Sequence, residues 1–552
     1  MESNNQSLNQ NITNQNQSAV SCSISIPNAE NVIINSETEY TKAMKQSFAF
    51  FGPVTLLYAL LYAFCMFKNG SGITFLLFIG ASLAYLYFCM PKLGLGIKKG
   101  STFYMVSMLI LAVSTFCTDD WKIITLNKIM IFFLVMSLLL HQFFDTSKWQ
   151  LGKYIGSIIE LIFCSIGELA RPFSDAISYY KKYQGKNKNI WYVVLGLVIS
   201  LPLIVIVIFL LSGADAVFRE LTNSILENIN IGNIFNVCFR VSFMFFATYL
   251  LVAYLCKKTI REEVKDRRTG EPVLAITITS LLTIIYLLFS GIQIVYLFLG
   301  QMQLPKGYTY AEYAREGFFQ LLAVSVLNLV IVLVCMGFFK ESKVLKIVLT
   351  IMSACTFIMI VSSALRMIIY IRYYYMTFLR IFVLWSLIVL FLLFAGIVIN
   401  IYKESFPLFK YSMVVITVLY IILSFAHPDY IIASVNLANA PQSVNDNLSQ
   451  NNSSFFLADE PYEDFSYLTI LSADAAPVII PYMKKMGYDL NVYDDIKDEE
   501  GSRLNRDKYG YSWYIDGFGN YYLKNISEAC ESFSLRTYNV SRHRALKLIE
   551  EN

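Results

Sequence analysis

The chain has 552 residues, 56% of them hydrophobic and only 15% charged, with a formal net charge of +4. An ordinary soluble domain is about 45–50% apolar and about a quarter charged, so these proportions exclude one. The small net charge hides a split: residues 1–426 hold 33 Lys/Arg against 21 Asp/Glu and residues 427–552 hold 11 against 19, so the first part is basic and the tail acidic.

Residues 1–46 form a polar tail in which the first 20 positions hold ten Asn/Gln, no Lys or Arg and no apolar run. Such a segment buries too little apolar surface to fold, so it is expected to be disordered, and no secretory signal is recognisable in it. Residues 47–426 are expected to form a helical bundle. A bilayer core of about 30 Å needs roughly 20 apolar helical residues per crossing. Eleven stretches fit, near 48–67, 71–90, 102–118, 121–143, 190–212, 231–256, 273–300, 317–339, 344–371, 381–401 and 406–426. Their length, and the absence of period-two alternation, point to helices rather than a barrel. The expected fold class is therefore an all-α polytopic membrane protein with a small, mainly helical C-terminal extramembrane domain.

Between the fourth and fifth stretches, Ile155, Ile158, Ile159, Ile162, Phe163, Ile166 and Leu169 recur at helical spacing. They predict an amphipathic segment over 151–182 that either lies on the membrane surface or docks on the bundle. Lys92, Lys98, Lys99, Lys257, Lys258, Arg261, Arg267 and Arg268 fall in alternate loops, which predicts a cytoplasmic N-terminus. An odd number of spans then puts residues 427–552 outside, in a multi-pass protein of the bacterial cell membrane. In that tail, 430–435 reads as helical, 464–486 as helix interrupted at Pro477 and Pro481, and 511–523 as a hairpin. The stretch 539–550 reads as a helix capped by Asn539 or Ser541.

Chemical signatures are sparse. There is no Walker A box, no H-E-x-x-H and no G-x-S-x-G, and His141, His427 and His543 are far apart in sequence. No metal site and no cofactor are expected. The ten cysteines include no C-x-x-C and read as packing residues. The acidic run from Asp494 to Glu500 reads as a solvated loop.

Ionisable groups within or beside spans are costly in hydrocarbon and so are the best functional candidates. Arg240 and Arg366 qualify, with Arg372 and Arg380 just beyond the ninth stretch. Arg366, Arg372, Arg380, Tyr370 and Tyr374 form the expected site for an anionic head group, because guanidinium groups suit phosphate and carboxylate. Asp215, Glu312, Arg315 and Glu316, from two other loops on the same expected face, are its polar partners. A packing role, in which Glu312 or Glu316 pairs with Arg366 or Arg372, is the alternative.

Several runs carry a family resemblance: G-A-D-A-V-F at 213–218, Y-A-E-Y-A-R-E-G-F-F at 310–319 and R-M-I-I-Y-I-R-Y-Y-Y-M-T-F-L-R at 366–380. H-P-D-Y-I-I-A-S-V-N at 427–436, L-S-A-D-A-A-P at 471–477 and Y-N-V-S-R-H-R-A at 538–545 complete the set. Over roughly 190–552 the chain resembles bacterial membrane proteins grouped as domain of unknown function 4173, related to family 4153. It departs from that pattern at Ala216 and at Tyr373-Tyr374-Tyr375. The resemblance implies a polytopic membrane protein and supplies no catalytic residues. The functional expectation is handling of an anionic lipid or lipid-linked envelope precursor at the outer face. The alternatives are a membrane-embedded enzyme of lipid or envelope metabolism, and a sensor or scaffold binding an envelope protein through 427–552. Beyond the lipid bilayer no partner is specified, and no nucleic acid is expected.

Overall fold

Apolar runs of 17 to 32 residues fold as α-helices, because only a helix satisfies every backbone N–H and C=O within one segment in hydrocarbon. A computed structural model describes residues 38–147, 149–183, 231–260, 262, 268–295, 317–438, 467–485, 522–527 and 534–550, with scattered positions from 196 to 218. In chain order the helices are α1 (Glu39–Gln46), α2 (Phe48–Met66), α3 (Ile73–Lys92), α4 (Ser101–Cys117), α5 (Trp121–Phe143), α6 (Leu151–Cys164), α7 (Arg171–Tyr183) and α8 (Ile231–Lys257). They continue as α9 (Pro272–Gln293), α10 (Phe318–Phe338), α11 (Lys343–Tyr374), α12 (Phe378–Tyr402), α13 (Leu408–Phe425), α14 (Pro428–Ala438), α15 (Ala476–Lys485) and α16 (Val540–Glu550). Among the described residues no strand forms beyond an isolated bridge between Gly270 and Phe339. Nine of these helices are long and apolar enough to cross a bilayer, and α4 is a shorter apolar one. The stretch expected to span at 190–212 lies mostly outside the described residues.

The helices form two packed groups. One core gathers residues of α2 to α6, α8 and α13, including Phe51, Leu111, Leu134 and Tyr249. The other gathers α9 to α12, including Val332, Met352, Met359 and Phe394. The groups meet where α12 packs on α13. There Gly396 lets the Tyr411 ring approach to a point 2.3 Å from where a Cβ would stand. The Trp385 Nε1–H donates to Leu419 O at 3.0 Å across the same seam.

Inside the first group one polar residue ties three helices together. Asn127 of α5 accepts from Tyr420 Oη (2.7 Å) and Ser424 Oγ (2.8 Å) of α13. Its amide donates to Thr115 Oγ1 (3.0 Å) and Ser114 Oγ (3.4 Å) of α4. All four amide hydrogen-bonding positions are used, which removes the cost of burying the group away from water. In the second group, Asn328 Nδ2 donates to Thr356 Oγ1 (2.9 Å) and Ser362 Oγ to Gln293 Oε1 (2.6 Å), each joining two helices.

The amphipathic stretch forms α6, a 3₁₀ turn at Ser165–Glu168, and α7. Tyr154, Ile158 and Leu161 of α6 pack on the bundle, with Tyr154 stacked on Phe409. Ile155, Ile159, Phe163, Ile166 and Leu169 form an exposed apolar face. Docking on the bundle and an outward apolar face thus coexist on one element. Asp175 of α7 is buried and accepts from Tyr249 Oη of α8 at 3.0 Å, with Arg171 at 3.2 Å.

A third core joins Ile432 and Ala433 of α14, Ile479, Ile480 and Met483 of α15, Tyr522 and Leu523, and Ala545 of α16. Helix α15 runs through Pro481 without a break, because burial of Ile479, Ile480 and Met483 outweighs one lost backbone hydrogen bond. Asn539 Oδ1 accepts from Ser541 N (3.0 Å) and Arg542 N (3.3 Å), so Asn539 is the N-cap of α16. Of the expected hairpin, 511–521 lies outside the described residues, and 522–527 is helical. The acidic run from Asp494 to Glu500 also lies outside them.

These C-terminal residues sit on the turns at one end of the bundle. Ile73 N donates to Tyr538 O (3.0 Å), Asn539 Nδ2 to Thr118 O (2.8 Å) and Met376 N to Asn436 Oδ1 (2.7 Å). We call this the domain end. The opposite, basic end gathers Lys98, bonded to Phe144 O (2.8 Å), and the Arg268–Glu341–Glu404 network.

Candidate functional site

Helix α11 has 32 residues and is about 48 Å long at 1.5 Å per residue, well beyond the hydrocarbon thickness. Arg366 lies eight residues from its C-terminal end, near the domain end. It is 8% exposed, and its Nη2 donates to Gln293 Oε1 of α9 at 3.3 Å. A Cβ on Gly317 would lie 1.9 Å from Arg366 Nη1, so the glycine makes room for the guanidinium at the start of α10. Ser362 and Ser363, one turn earlier, bond Gln293 Oε1 (2.6 Å) and Phe318 O (3.2 Å). Arg366 is thus part of an interface of α9, α10 and α11.

Arg380 serves a different purpose. Its Nη1 donates to Tyr374 O and Tyr375 O, and its guanidinium stands 4.3 Å over the Tyr370 ring. It caps the carbonyl end of α11, where Tyr375 has φ 61° and helical bonding stops. The Tyr370 ring stacks on Phe318 at 5.9 Å and approaches Tyr374 at 4.9 Å. Arg372 is exposed, with no hydrogen-bond or ion-pair partner among the described residues. Arg380, Tyr370 and Tyr374 therefore come together, Arg366 is turned to α9 and α10, and Arg372 faces outward. Asp215 is exposed and accepts from Phe218 N at 3.2 Å. Glu312, Arg315 and Glu316 lie outside the described residues. Arg240 donates to Asn236 Oδ1 on its own helix at 2.7 Å.

Two features were missed from sequence. The first is a cleft of about 1450 Å³ at the basic end, between the two helix groups. Its apolar wall is α10 and α11, with Val330, Val334 and Phe338 at successive turns exposed to it and Leu345 and Leu349 behind. From Phe338 to Val330 is eight residues, about 12 Å of depth. The facing wall is Ile155 and Gly156 of α6 with Phe409 of α13. The rim is charged. Arg268 and Lys346 are ion-paired with Glu341 and Glu404, whereas Lys153 lies 5.4 Å over the Trp149 ring with no carboxylate partner among the described residues.

The second feature is a buried charge cluster at the domain end. Lys122 Nζ stands 3.4 Å from Asp120 and 3.1 Å from Asp429, and Arg542 Nε is 2.6 Å from Asp119. His427, in a left-handed backbone conformation (φ 48°), places Nδ1 3.1 Å from Asp474. Asp474 also accepts from Thr118 Oγ1 and from Asp119 N at 2.9 Å. Burial opposes the Asp474 carboxylate. The His427 ring and the hydroxyls of Ser541 and Thr118 outweigh it and hold the group below the usual aspartate range. A sequence signal existed: Thr118-Asp119-Asp120 is an acidic pair wedged between two apolar stretches. The H-P-D, S-A-D and S-R-H-R runs supply the other members.

Among the described residues no group of three or more His, Cys, Asp or Glu side chains is placed to hold a metal ion. No curated protein matches this chain. No solved structure matches it. A family model described as a domain of unknown function, DUF4153, matches residues 105–482, from α4 to α15. The chain is an integral membrane protein that belongs to the DUF4153 family.

Proposed function

We propose that this protein handles an amphipathic lipid, and that the cleft at the basic end holds a phospholipid. The observation that carries this reading is the cleft's two-part lining. Apolar side chains line it for about 12 Å below the rim, and charged groups line the rim itself. At about 1450 Å³ it exceeds the roughly 300–1,000 Å³ typical of small-molecule sites. Acyl chains would lie against Val330, Val334 and Phe338, and the phosphate would meet Lys153, the rim cation that has no carboxylate partner among the described residues. The basic end corresponds to the cytoplasmic side by the positive-inside rule, so the lipid would enter from that leaflet.

The protein purified from its membrane in mild detergent is expected to retain phospholipid, detected by native mass spectrometry. Val334→Trp, which fills the cleft, is expected to lose it. Leu281→Trp, on an exposed α9 face away from the cleft, is expected to keep it. Equal retention in all three would refute the cleft as the site.

A second reading rests on exposed Arg372 at the domain end. There an anionic lipid or lipid-linked envelope precursor would be met by Arg372, beside the Arg380–Tyr370–Tyr374 cluster. Arg372→Gln would then weaken binding of an anionic lipid added from that side and leave the cleft lipid in place.

A further inference from the structure

The charge cluster that joins the C-terminal residues to the bundle is built from distant parts of the chain. Asp119 and Asp120 come from the α4–α5 turn, Lys122 from α5, His427 from the α13–α14 turn, Asp429 from the first turn of α14, and Asp474 and Arg542 from the C-terminal core. All four carboxylates are nearly inaccessible to water, with side chains at most 8% exposed. In direct contact with them are two permanent cations, Lys122 and Arg542, and one histidine. Lys122 serves both Asp120 and Asp429, so it neutralises one of them. The remaining negative charge falls on Asp120, whose Oδ2 is buried with no hydrogen-bond partner. A second falls on Asp474 whenever His427 is neutral. Burying an uncompensated carboxylate costs far more than burying a neutral carboxyl. The contacting groups balance only with a proton on Asp120 and another on His427.

We propose that this junction is a proton-operated clasp: protonation of Asp120 and His427 tightens the seating of the C-terminal core on the bundle, and their deprotonation loosens it.

Other groups facing the cluster do not change the balance. The phenols of Tyr420, Tyr467 and Tyr522 stand near it without adding a cation. Tyr522 Oη donates to Ser472 O at 3.1 Å. Arg544 is exposed on α16 and acts weakly against a charged His427. The Cys117 thiol, beside Asp474, adds no cation either.

The sign of the pH effect follows. Burial, then the Asp429 charge, raises Asp120 from the ordinary aspartate value to about 7. The seated state therefore holds a proton that the open state gives up, and seating weakens as pH rises through about 7. His427 is raised by its bond to Asp474, so its contribution is complete below the ordinary histidine value and is lost as pH rises through the raised one. Asp119 is raised by burial and acts in the same direction. Asp474 is lowered, and its contribution is lost only in strong acid.

Hydrogen exchange on the full chain in phospholipid nanodiscs tests the clasp. Rates at 473–485 and 541–550 are corrected for the intrinsic effect of pH. Between pH 6 and 8.5 the wild type is expected to lose protection at least tenfold, because a proton held with a pKa of about 7 in the seated state gives up about a factor of ten over that range and little more above it. Asp120→Asn and Asp429→Asn each remove the excess charge and should keep most of that protection at pH 8.5. His427→Gln removes the histidine's share and should make the slope shallower without abolishing it, because Asp120 still titrates. Glu271→Gln, at the basic end, should match wild type. Two outcomes overturn the proposal: pH-independent protection in the wild type, or the wild-type slope in both Asp120→Asn and Asp429→Asn.

Discussion

Replacing Asn127 with Leu keeps the branched side-chain shape in α5 and removes four hydrogen bonds at once. The size of the effect depends on what the partners keep. Tyr420 retains Ile123 O at 3.3 Å, Thr115 retains Leu111 O at 2.9 Å, and Ser114 and Ser424 retain each other. No partner is orphaned, so the large penalty for a buried unsatisfied group does not apply. Side-chain hydrogen bonds between membrane helices average about 0.6 kcal/mol, which puts the loss at about 2 kcal/mol. That is roughly a 30-fold change in the folding equilibrium. Reversible unfolding in mixed micelles is followed by tryptophan fluorescence, with Trp385 as a reporter 6.0 Å from the Tyr420 ring. A double-mutant cycle with Ser424→Ala should return a coupling of about 0.6 kcal/mol. A total loss below about 0.3 kcal/mol would show that Asn127 does not lock these helices. A loss above about 4 kcal/mol would show that its partners have no second bond to fall back on.

Three further outcomes follow from single contacts. Gly396→Ala places a methyl group 2.3 Å from Tyr411 Cε1, so the α12–α13 seam should open at a cost of about 1–3 kcal/mol, read as a lower unfolding midpoint. Arg542→Met leaves Asp119 buried beside no cation. It should cost about 3 kcal/mol at neutral pH, and less in acid, where a protonated Asp119 no longer needs the guanidinium. Arg268→Ala breaks exposed pairs with Glu341 and Glu404 and should cost under about 1 kcal/mol. Its effect should shrink further at high salt, which thermal unfolding at two ionic strengths would reveal.

The membrane helices were legible because a span is a local property: about 20 consecutive apolar residues declare themselves without knowledge of any partner. The Asn539 cap was legible for the same reason, since the signal and the helix it starts are adjacent. The charge cluster was not. Asp119 and Arg542 are 423 positions apart, and neither carries a mark that names the other. The cleft was equally hidden, because Ile155 and Val334 belong to helix groups whose spacing only packing decides. Arg366 and Arg380 stand out in the sequence as charges near a span. The same residue types serve anion binding, helix capping and inter-helix bonding, and only geometry separates these. Arg380 caps α11, and Arg366 bonds Gln293. At Pro481 a helix-breaking residue sits inside a helix, because the tertiary burial of its neighbours is worth more than the lost bond.

The lipid in the cleft is tested most directly by photocrosslinking. The protein is reconstituted in nanodiscs with a trace of phospholipid carrying a photoreactive group midway along one acyl chain. Labelled peptides are then mapped by mass spectrometry. Saturable labelling concentrated at Val330–Phe338 and Leu345–Leu349, displaced by unlabelled phospholipid and lost in Val334→Trp, is the predicted result. Labelling spread evenly over every lipid-facing helix, with no excess at the cleft and no change in Val334→Trp, would contradict it.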